Sequence, residues 1–279
     1  MDKDKILIIS GASGYIGSNL IGKLISLRNN IVITKRSTKY DYEFLDLENN
    51  KYQLNELKNK EILLIHLATF YSKDPGDSKK IKMSNEDFGK DLVKKLIKFN
   101  LKKIIYTNSM FSFYNDKNIR NLEYSKSKNN FSCFLKQISN SESLIFEEIY
   151  LDNSFGNVDK RNKVIPLIMK SLISNSENPI ANADAYINLV HIDDVVQRII
   201  LSANTLQAGS TAFISKFSYN IQSIYNFLYE YSTFNQINKT LLHKKNNNYI
   251  QPHPRVDLKG IPLKKLSYAL IDELKKYES

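Results

Sequence analysis

A short apolar segment followed at once by three evenly spaced glycines constrains the fold of this chain more than any other feature. Residues 6–10 have the pattern of a buried strand, and Gly11, Gly14 and Gly17 then open an amphipathic helix. Gly11 permits a tight turn, Gly14 lets backbone N–H groups approach an anion, and Gly17 lets the helix pack closely on the strand. A helix N-terminus in this setting binds a pyrophosphate, so the loop predicts a dinucleotide site. The loop residues expected to contact it are Gly11, Ser13, Gly14, Tyr15, Ile16 and Gly17.

Strand-like and helical patterns alternate through the first half of the chain. The predicted strands are 6–10, 31–34, 61–67, 103–107 and 144–150, and the predicted helices are 14–28, 81–99 and 124–139. This alternation indicates right-handed βαβ units and a parallel sheet. After Tyr150 the pattern loosens, with helices predicted at 195–202, 221–231 and 263–276.

The fold class expected from these elements is α/β, a Rossmann-type doubly wound parallel sheet with a smaller C-terminal α/β lobe that binds substrate. The dinucleotide-binding domain is predicted at residues 1–150, rejoined by about 188–215. Residues 151–187 and 216–279 then form the substrate-binding lobe. A ligand is expected at the carboxyl ends of the strands.

The net charge of +11 comes from a chain in which only six of the 40 basic residues are Arg. That balance is typical of scattered solvated lysines, with at most a modest attraction for a diphosphate, and it does not favour a nucleic-acid partner. The single cysteine, Cys133, suits a reducing compartment. Because the N-terminus has no signal-peptide pattern and no apolar run approaches a membrane span, we expect a cytoplasmic protein with no membrane partner. We also expect no bound metal.

The end of the second predicted strand indicates which dinucleotide binds. An acid at this place would accept a hydrogen bond from the ribose 2′-hydroxyl of NAD, but the sequence here is Thr34-Lys35-Arg36-Ser37-Thr38. Cations and hydroxyls favour a 2′-phosphate, so the segment predicts NADP(H), with Arg36 as the main phosphate partner. The alternative is that Lys35 and Arg36 are ordinary surface charges of a Lys-rich chain.

A Tyr-x-x-x-Lys pair, Tyr124 and Lys128, provides the candidate chemistry. Four residues apart on a helix, the two side chains lie on one face. The lysine cation can lower the pKa of the tyrosine and bind ribose hydroxyls, and the tyrosine can exchange a proton with a substrate oxygen. The pair follows a strand that ends in Thr107-Asn108-Ser109, which supplies hydroxyl groups. The alternative is an ordinary exposed helix pair.

The segment GASGYIGSNL and the Tyr-x-x-x-Lys pair resemble the extended short-chain dehydrogenase/reductase (NAD-dependent epimerase/dehydratase) family over nearly the whole chain. The resemblance implies a hydride from NADPH, a proton from Tyr124, an alkoxide stabilised by Ser109, and Lys128 tuning Tyr124. The further cofactor contacts that it implies are Asp46 (on the adenine amino group), Leu47, Leu67, Ala68, Thr69 and Thr107, with Tyr124 and Lys128 touching the cofactor as well.

The residues around Ser109 and at the end of the second strand indicate which reaction of this family the chain catalyses. Family dehydratases carry an acid beside the strand-end hydroxyl, whereas Asn108 stands there and we expect no Asp or Glu near it. Epimerases carry the second-strand acid that is missing here. Reduction that consumes NADPH therefore fits best, and a 4-epimerase is the runner-up. A non-catalytic dinucleotide sensor or RNA-associated protein is a distant alternative, opposed by the retention of Ser109, Tyr124 and Lys128.

Four short segments resemble CDP-abequose synthase-like NDP-4-keto-deoxysugar reductases: residues 65–69, 107–111, 162–166 and 192–196. This resemblance implies reduction of the 4-keto group of a CDP-, GDP-, UDP- or dTDP-activated 6-deoxy or 3,6-dideoxy sugar. Such sugars enter surface polysaccharides such as lipopolysaccharide O-antigen and capsule. The implied substrate contacts are Ser109, Met110, Asn153 and Lys163.

The chain departs from the family where a diphosphate-binding Arg-Asp pair is replaced by Ile187-Asn188, and Lys245 or Arg255 would have to supply the missing cation. His191 is expected to be structural, and Asp193 begins a helix. We also expect a homodimer, since members of this family often pair through a helix bundle.

Overall fold

The computed structural model describes residues 4–25, 30–36, 42–46, 48, 50–113, 122–174, 183–205, 208–213, 218–234 and 265–278. The chain divides into two compact units. The first is formed by Met1–Leu151 and Val196–Ala212, and the second by Asp152–Val195 and Phe213–Ser279.

The strands are β1 (Lys5–Ser10), β2 (Ile31–Arg36), β3 (Tyr42–Leu45), β4 (Glu61–His66), β5 (Leu101–Ser109), β6 (Ile145–Leu151), β7 (Asn153–Phe155), β8 (Tyr186–His191), β9 (Gly209–Phe213) and β10 (Ser218–Asn220). The α-helices are α1 (Tyr15–Leu24), α2 (Ser78–Lys82), α3 (Phe88–Ile97), α4 (Leu122–Ser141), α5 (Val164–Ser174), α6 (Ile192–Asn204), α7 (Ile221–Phe234) and α8 (Leu266–Glu278). A π-helical turn, Met83–Asp87, separates α2 from α3.

The first unit is built on a seven-stranded sheet in the order β3-β2-β1-β4-β5-β6-β9. Strands β2, β1, β4, β5 and β6 run parallel, and β3 is antiparallel to β2. Nearly every residue of β1 and β5 is buried, as expected for strands covered on both faces. The expected α/β class with a parallel sheet is confirmed.

Helices lie on both faces of this sheet, which makes the first unit doubly wound. Glu147 and Glu148 are neighbours in β6, so their side chains point to opposite faces. Glu148 pairs with Lys136 of α4, whereas Glu147 accepts a hydrogen bond from Ser202 of α6. Among the described residues, no helix has the length and apolar character that crossing a bilayer requires.

The core of the first unit forms where α3 and α4 pack on the sheet, around Phe131 and Leu135 of α4 and Tyr106 of β5. Leu92 and Leu96 of α3 are fully buried in the same cluster. Because the face of α3 that carries Leu92 and Leu96 is already buried, two copies could pair through α3 only by a different face of this helix.

The second unit has a three-stranded sheet in the order β10-β8-β7, in which β7 and β8 are parallel. Its core is a separate cluster to which β7, β8, α5, α7 and α8 contribute. The most buried members of that cluster are Phe155, Ile168, Met169, Leu228 and Leu274.

Candidate active site

The glycine turn lies between β1 and the N-terminus of α1, at the point where the strand order reverses between β1 and β4. Gly11 has φ 76°, and a Cβ there would lie 2.5 Å from the backbone N of Ala68. A Cβ on Gly17 would lie 2.2 Å from the carbonyl oxygen of Gly11. No side chain caps the helix at Gly14, and its first turn has no acid. This tight, uncapped helix end suits the pyrophosphate of a dinucleotide, and Ser13, Tyr15 and Ile16 belong to the same turn.

Lys35 and Arg36 are the last two residues of β2, and both side chains are exposed. The antiparallel strand β3 places Glu43 opposite Lys35 and Tyr42 opposite Arg36. A carboxylate therefore stands across from Lys35, which the sequence did not indicate, because β3 was not among the predicted strands. Arg36 faces no acid in this register.

Asp46, the expected adenine contact, organises the loop after β3. Its carboxylate accepts hydrogen bonds from the side chain of Asn50 (3.0 Å) and from the backbone N–H groups of Asn50 (2.8 Å) and Glu48 (2.9 Å). These bonds lower the pKa of Asp46, the Asn50 side chain contributing most. The neighbouring expected contact, Leu47, lies outside the described residues.

The end of β4 meets the end of β1 through side chains and backbone. Ser10 Oγ and His66 Nδ1 are 2.8 Å apart, and the Leu67 N–H donates to the Ser10 carbonyl oxygen at 3.0 Å. Burial, followed by the charge of Lys128, lowers the pKa of His66 to about 3, so the ring is neutral. The expected contacts Leu67 and Ala68 thus lie beside the glycine turn.

Tyr124 lies in the first turns of α4, where the structure brings it together with two other predicted site residues. Its hydroxyl is hydrogen-bonded to the side chains of Ser109, at the end of β5, and Thr69, after β4. Its ring also packs edge-on against Tyr71, with centroids 5.2 Å apart. Ser109 Oγ accepts from the N–H of Phe111 at 3.3 Å.

Lys128 lies one helical turn after Tyr124 and is buried. Its Nζ donates to the carbonyl oxygen of Thr107 at 2.7 Å and lies 4.4 Å from the ring centroid of Tyr106. Burial lowers the pKa of Lys128 to about 7, and the charge of Glu148 opposes that shift. Lys128 therefore gives up its proton far more readily than an exposed lysine does.

The pKa of Tyr124 is raised from its ordinary value, whereas the sequence led us to expect a lowered one. Burial raises the pKa of Tyr124, while its hydrogen bonds with Thr69 and Ser109 lower the pKa by less. The physical reason is that Tyr124 is desolvated and that Nζ of Lys128 is directed at Thr107. Tyr124 is consequently protonated at neutral pH, which is the form that a proton donor needs.

Asn85, in the π-helical turn, is a site residue that the sequence reasoning missed. Its Oδ1 accepts from the Phe70 N–H (2.7 Å) and the Thr69 hydroxyl (3.2 Å), and its Nδ2 donates to Ser127 Oγ of α4 (3.0 Å). Asn85 therefore fixes the loop that carries Thr69 against the helix that carries Tyr124. The one sequence signal was a polar residue on the buried side of a helical pattern.

The prediction that no acid is near Asn108 is wrong. Glu148 lies on the adjacent strand, and its Oε1 accepts from Asn108 Nδ2 at 2.7 Å. The prediction considered only neighbours in sequence, whereas parallel pairing of β5 and β6 brings together residues 40 positions apart.

Met110, an expected substrate contact, begins the short 3₁₀ turn after β5 and is 1% exposed. In the part of the chain that the structure describes, no three His, Cys, Asp or Glu side chains are grouped to hold a metal ion.

The other two expected substrate contacts belong to the second unit. Asn153 begins β7 and donates from Nδ2 to the Asn188 carbonyl oxygen at 3.2 Å, and Lys163 precedes α5. Arg161, two residues before Lys163, is held by Asp159 through Nε (2.8 Å) and Nη2 (2.7 Å). The replacement cations considered from sequence, Lys245 and Arg255, lie outside the described residues.

The loop that leads to Arg161 is held in an unusual conformation by α8. Asn157 and Val158 both have φ 53°, which is uncommon for any residue other than glycine and strained for β-branched Val158. Both backbone N–H groups donate to the buried carboxylate of Glu273 in α8. His191 packs under Gly156, where a Cβ would lie 2.4 Å from Nε2, and this agrees with a structural role.

The sequence matches the profile of the NAD dependent epimerase/dehydratase family over residues 7–221. Among curated proteins it resembles CDP-abequose synthase of Salmonella muenchen, with 23% identity over 203 residues that cover 70% of this chain and 69% of that protein.

Two solved structures illustrate the fold. One is UDP-glucose 4-epimerase from Thermotoga maritima with UDP-glucose, at TM-score 0.74 and 15% identity, covering 97% of this chain and 98% of that one. The other is RMD from Pseudomonas aeruginosa complexed with NADPH, at TM-score 0.70 and 16% identity, covering 99% and 100%. The match over residues 7–221, on a sheet whose glycine turn lies at its topological switch point, shows that the chain belongs to the NAD dependent epimerase/dehydratase family, the extended short-chain dehydrogenases/reductases.

Proposed function

We propose that this chain is an NADPH-dependent reductase of the 4-keto group of a nucleotide-activated 6-deoxy or 3,6-dideoxy sugar. The observation that carries the proposal is the hydroxyl of the half-buried Tyr124, hydrogen-bonded to Ser109 and Thr69 one helical turn from Lys128. The likeness to CDP-abequose synthase supports the substrate class. We further propose that the enzyme is cytoplasmic and works as a homodimer in surface polysaccharide synthesis.

The glycine turn would hold the pyrophosphate of NADPH, and Arg36 at the end of β2 would hold its 2′-phosphate. The tight contacts of Gly11 and Gly17 fit this role, since a Cβ at either position would collide with backbone. Asp46, Thr69 and the strand end at Thr107 are the further proposed cofactor contacts. NADPH, when bound, supplies the hydride.

The side chains of the first unit perform the acid chemistry. Tyr124, kept protonated by burial, gives its proton to the oxygen of the reduced carbonyl. Ser109 donates a hydrogen bond to the same oxygen and so stabilises the charge that develops there. The Lys128 cation would bind the ribose hydroxyls of the cofactor. Asn153 and Lys163 are the proposed contacts with the sugar nucleotide in the second unit.

The test is an NADPH-oxidation screen against CDP-, GDP-, UDP- and dTDP-4-keto-6-deoxy sugars, followed by NMR of the product. One NADPH should be consumed for each hydroxyl formed at C4. A 4-epimerase would change the sugar over many turnovers with no net change in NADPH absorbance. Salt-sensitive RNA binding without turnover of any sugar nucleotide would overturn the enzymatic assignment.

A further inference from the structure

A buried polar cluster lies beside the strand end that carries Ser109, on the face of the sheet that α4 covers. Glu148 of β6 is fully buried and accepts a hydrogen bond from Asn108 Nδ2 at 2.7 Å. It also forms an ion pair with Lys136 Nζ of α4 at 3.1 Å and is hydrogen-bonded to the Tyr150 hydroxyl. The mechanism above uses none of these groups.

Asn108 connects Glu148 to the strand end that carries Ser109. Its Oδ1 accepts from the backbone N–H of Ser109 at 2.7 Å and from Ser112 Oγ at 2.9 Å. With Nδ2 committed to Glu148, the amide has one orientation, in which Oδ1 faces the turn after β5. A buried carboxylate thereby determines the direction of the side chain that holds the Ser109 backbone.

The same carboxylate faces Lys128 across Tyr106. In the register of β5 and β6, Glu148 is the partner of Tyr106, and Lys128 Nζ lies over the ring of that tyrosine. The titratable groups around Lys128 and the Tyr106 ring that it lies over are His66 of β4, Glu86 of the π turn, Tyr124 of α4, and Glu148 and Tyr150 of β6.

Of these groups, Glu148 supplies the negative charge that acts on the Lys128 cation. His66 is neutral, the pKa values of all three tyrosines are raised so that they are protonated, and Glu86 forms its own pair with Lys90 at 3.1 Å. Burial lowers the pKa of Lys128 to about 7, and the charge of Glu148 opposes that shift.

We propose that Glu148 is a positioning residue of the active site: through Asn108 it fixes the strand end that carries Ser109, and its charge retains the Lys128 cation. It does not itself transfer a proton, because its oxygens are occupied by Asn108, Tyr150 and Lys136. The catalytic significance rests on the proposed reduction, but both physical effects exist in the protein without substrate or cofactor.

The charge effect is tested by titrating Lys128 in cofactor-free protein labelled with [13Cε]lysine, with Lys128→Met to assign the resonance. Glu148→Gln should lower the titration midpoint by about one pH unit, since an opposite charge at close range is removed. Lys136→Met is the matched control. It breaks the same ion pair but keeps the Glu148 charge, so the midpoint should stay or rise.

The positioning effect is tested by amide hydrogen exchange of residues 107–113, with circular dichroism confirming that each variant is folded. Exchange at the Ser109 N–H should become at least several-fold faster in Asn108→Ala and in Glu148→Met, which has no oxygen to accept from Asn108, and remain at the wild-type rate in Lys136→Met. With the substrate found by the screen, Asn108→Ala should lower kcat without moving the pH at which activity falls, whereas Glu148→Gln should move that pH downward.

An unchanged Lys128 midpoint in folded Glu148→Gln would overturn the charge effect, and unchanged Ser109 exchange would overturn the positioning effect. Neither measurement uses a sugar nucleotide, so they stand if the screen finds no substrate. Conversely, the screen could show turnover while the Lys128 midpoint and the Ser109 exchange rate are both unchanged in the variants. That result would support the reductase and show that Glu148 has no positioning role in it.

Discussion

At the scale of single residues, the proposed proton donor is defined by its hydrogen-bond partners and not by burial, because Tyr106 beside it is more buried. Tyr124 combines a raised pKa with hydrogen bonds to two hydroxyls from separate strand ends, Ser109 and Thr69. A group with this pKa donates a proton readily only when the acceptor becomes strongly basic, as a carbonyl oxygen does when its carbon gains a hydride. The protonated resting state is therefore the form of Tyr124 that the proposed reduction requires.

Replacing Tyr124 by Phe tests the proton donor directly. The substitution removes one hydroxyl and keeps the ring, so kcat should fall by about 10²–10⁴, the usual contribution of general acid catalysis, while NADPH affinity stays within a few-fold. Stopped-flow NADPH oxidation and fluorescence titration measure the two quantities. Tyr71→Phe is the control, because it removes the hydroxyl of the ring packed against Tyr124 and should leave kcat within a few-fold. Equal losses in both variants would contradict the assigned role.

Replacing Arg36 by Asp tests the cofactor assignment. A carboxylate at the end of β2 repels a 2′-phosphate and accepts from a 2′-hydroxyl, so the preference measured as kcat/KM should move from NADPH toward NADH by at least tenfold. Lys58→Asp, an equal change of charge at an exposed turn residue, controls for the net charge. If NADPH kinetics are the same in Arg36→Asp as in wild type, the phosphate is bound elsewhere.

The sequence predicted the relative positions of single residues where a short spacing along one element determines them. Tyr124 and Lys128 lie one turn apart because any helix puts them there, and Ser109 follows from being at a strand end. Glu148 could not be found in this way. Its contact with Asn108 depends on which strands pair and in what register, and no local pattern encodes that.

At the scale of elements, the helix pattern over residues 81–99 predicted one continuous helix, whereas the structure has α2, a π-helical turn and α3. Apolar periodicity places Leu92 and Leu96 on the buried face, as observed, but a single residue inserted in the hydrogen-bond ladder leaves that pattern almost unchanged. The inserted turn directs Asn85 at the Thr69 loop. The strands β3 and β7–β10 were not predicted, and three of them, β3, β7 and β10, have only three or four residues and so show little periodicity.

Substitution of two glycines of α1, Gly17 and Gly22, tests two different effects: close packing at Gly17 and helix propensity at Gly22. A Cβ at position 17 would lie 2.2 Å from the Gly11 carbonyl oxygen, whereas one at position 22 meets nothing within 4 Å. Gly17→Ala should therefore displace the turn and weaken NADPH binding by at least tenfold. Gly22→Ala should bind normally and unfold at higher temperature, by about 0.5–1 kcal/mol of added stability. Titration and thermal melts compare the two; normal binding in Gly17→Ala would remove the turn from the proposed cofactor site.

At the scale of the whole molecule, the sequence predicted that the first domain is completed by a later part of the chain, and the compact units give the return as Val196–Ala212. A buried charge cluster ties this segment to the sheet. Lys103 Nζ of β5 contacts Glu147 Oε2 (3.0 Å) and the carbonyl oxygens of Ser202 (2.7 Å) and Thr205 (2.9 Å). Arg198 of α6 forms an ion pair with the same Glu147. Nothing in the sequence indicated these partners, because charged residues are ordinarily assigned to the surface.

Removing the central charge of that cluster should destabilise the first unit severely. Glu147→Gln keeps the shape of the side chain but leaves Lys103 and Arg198 buried without their carboxylate, which costs about 3–5 kcal/mol. Urea unfolding followed by circular dichroism should show a lower midpoint, and amide exchange should show the loss in β5, β6 and α6. Glu61→Gln removes the carboxylate of a half-exposed strand pair with Lys5 and should cost under about 1 kcal/mol. Equal midpoints for the two variants would mean that apolar packing alone, and not the charge cluster, retains the returning segment on the sheet.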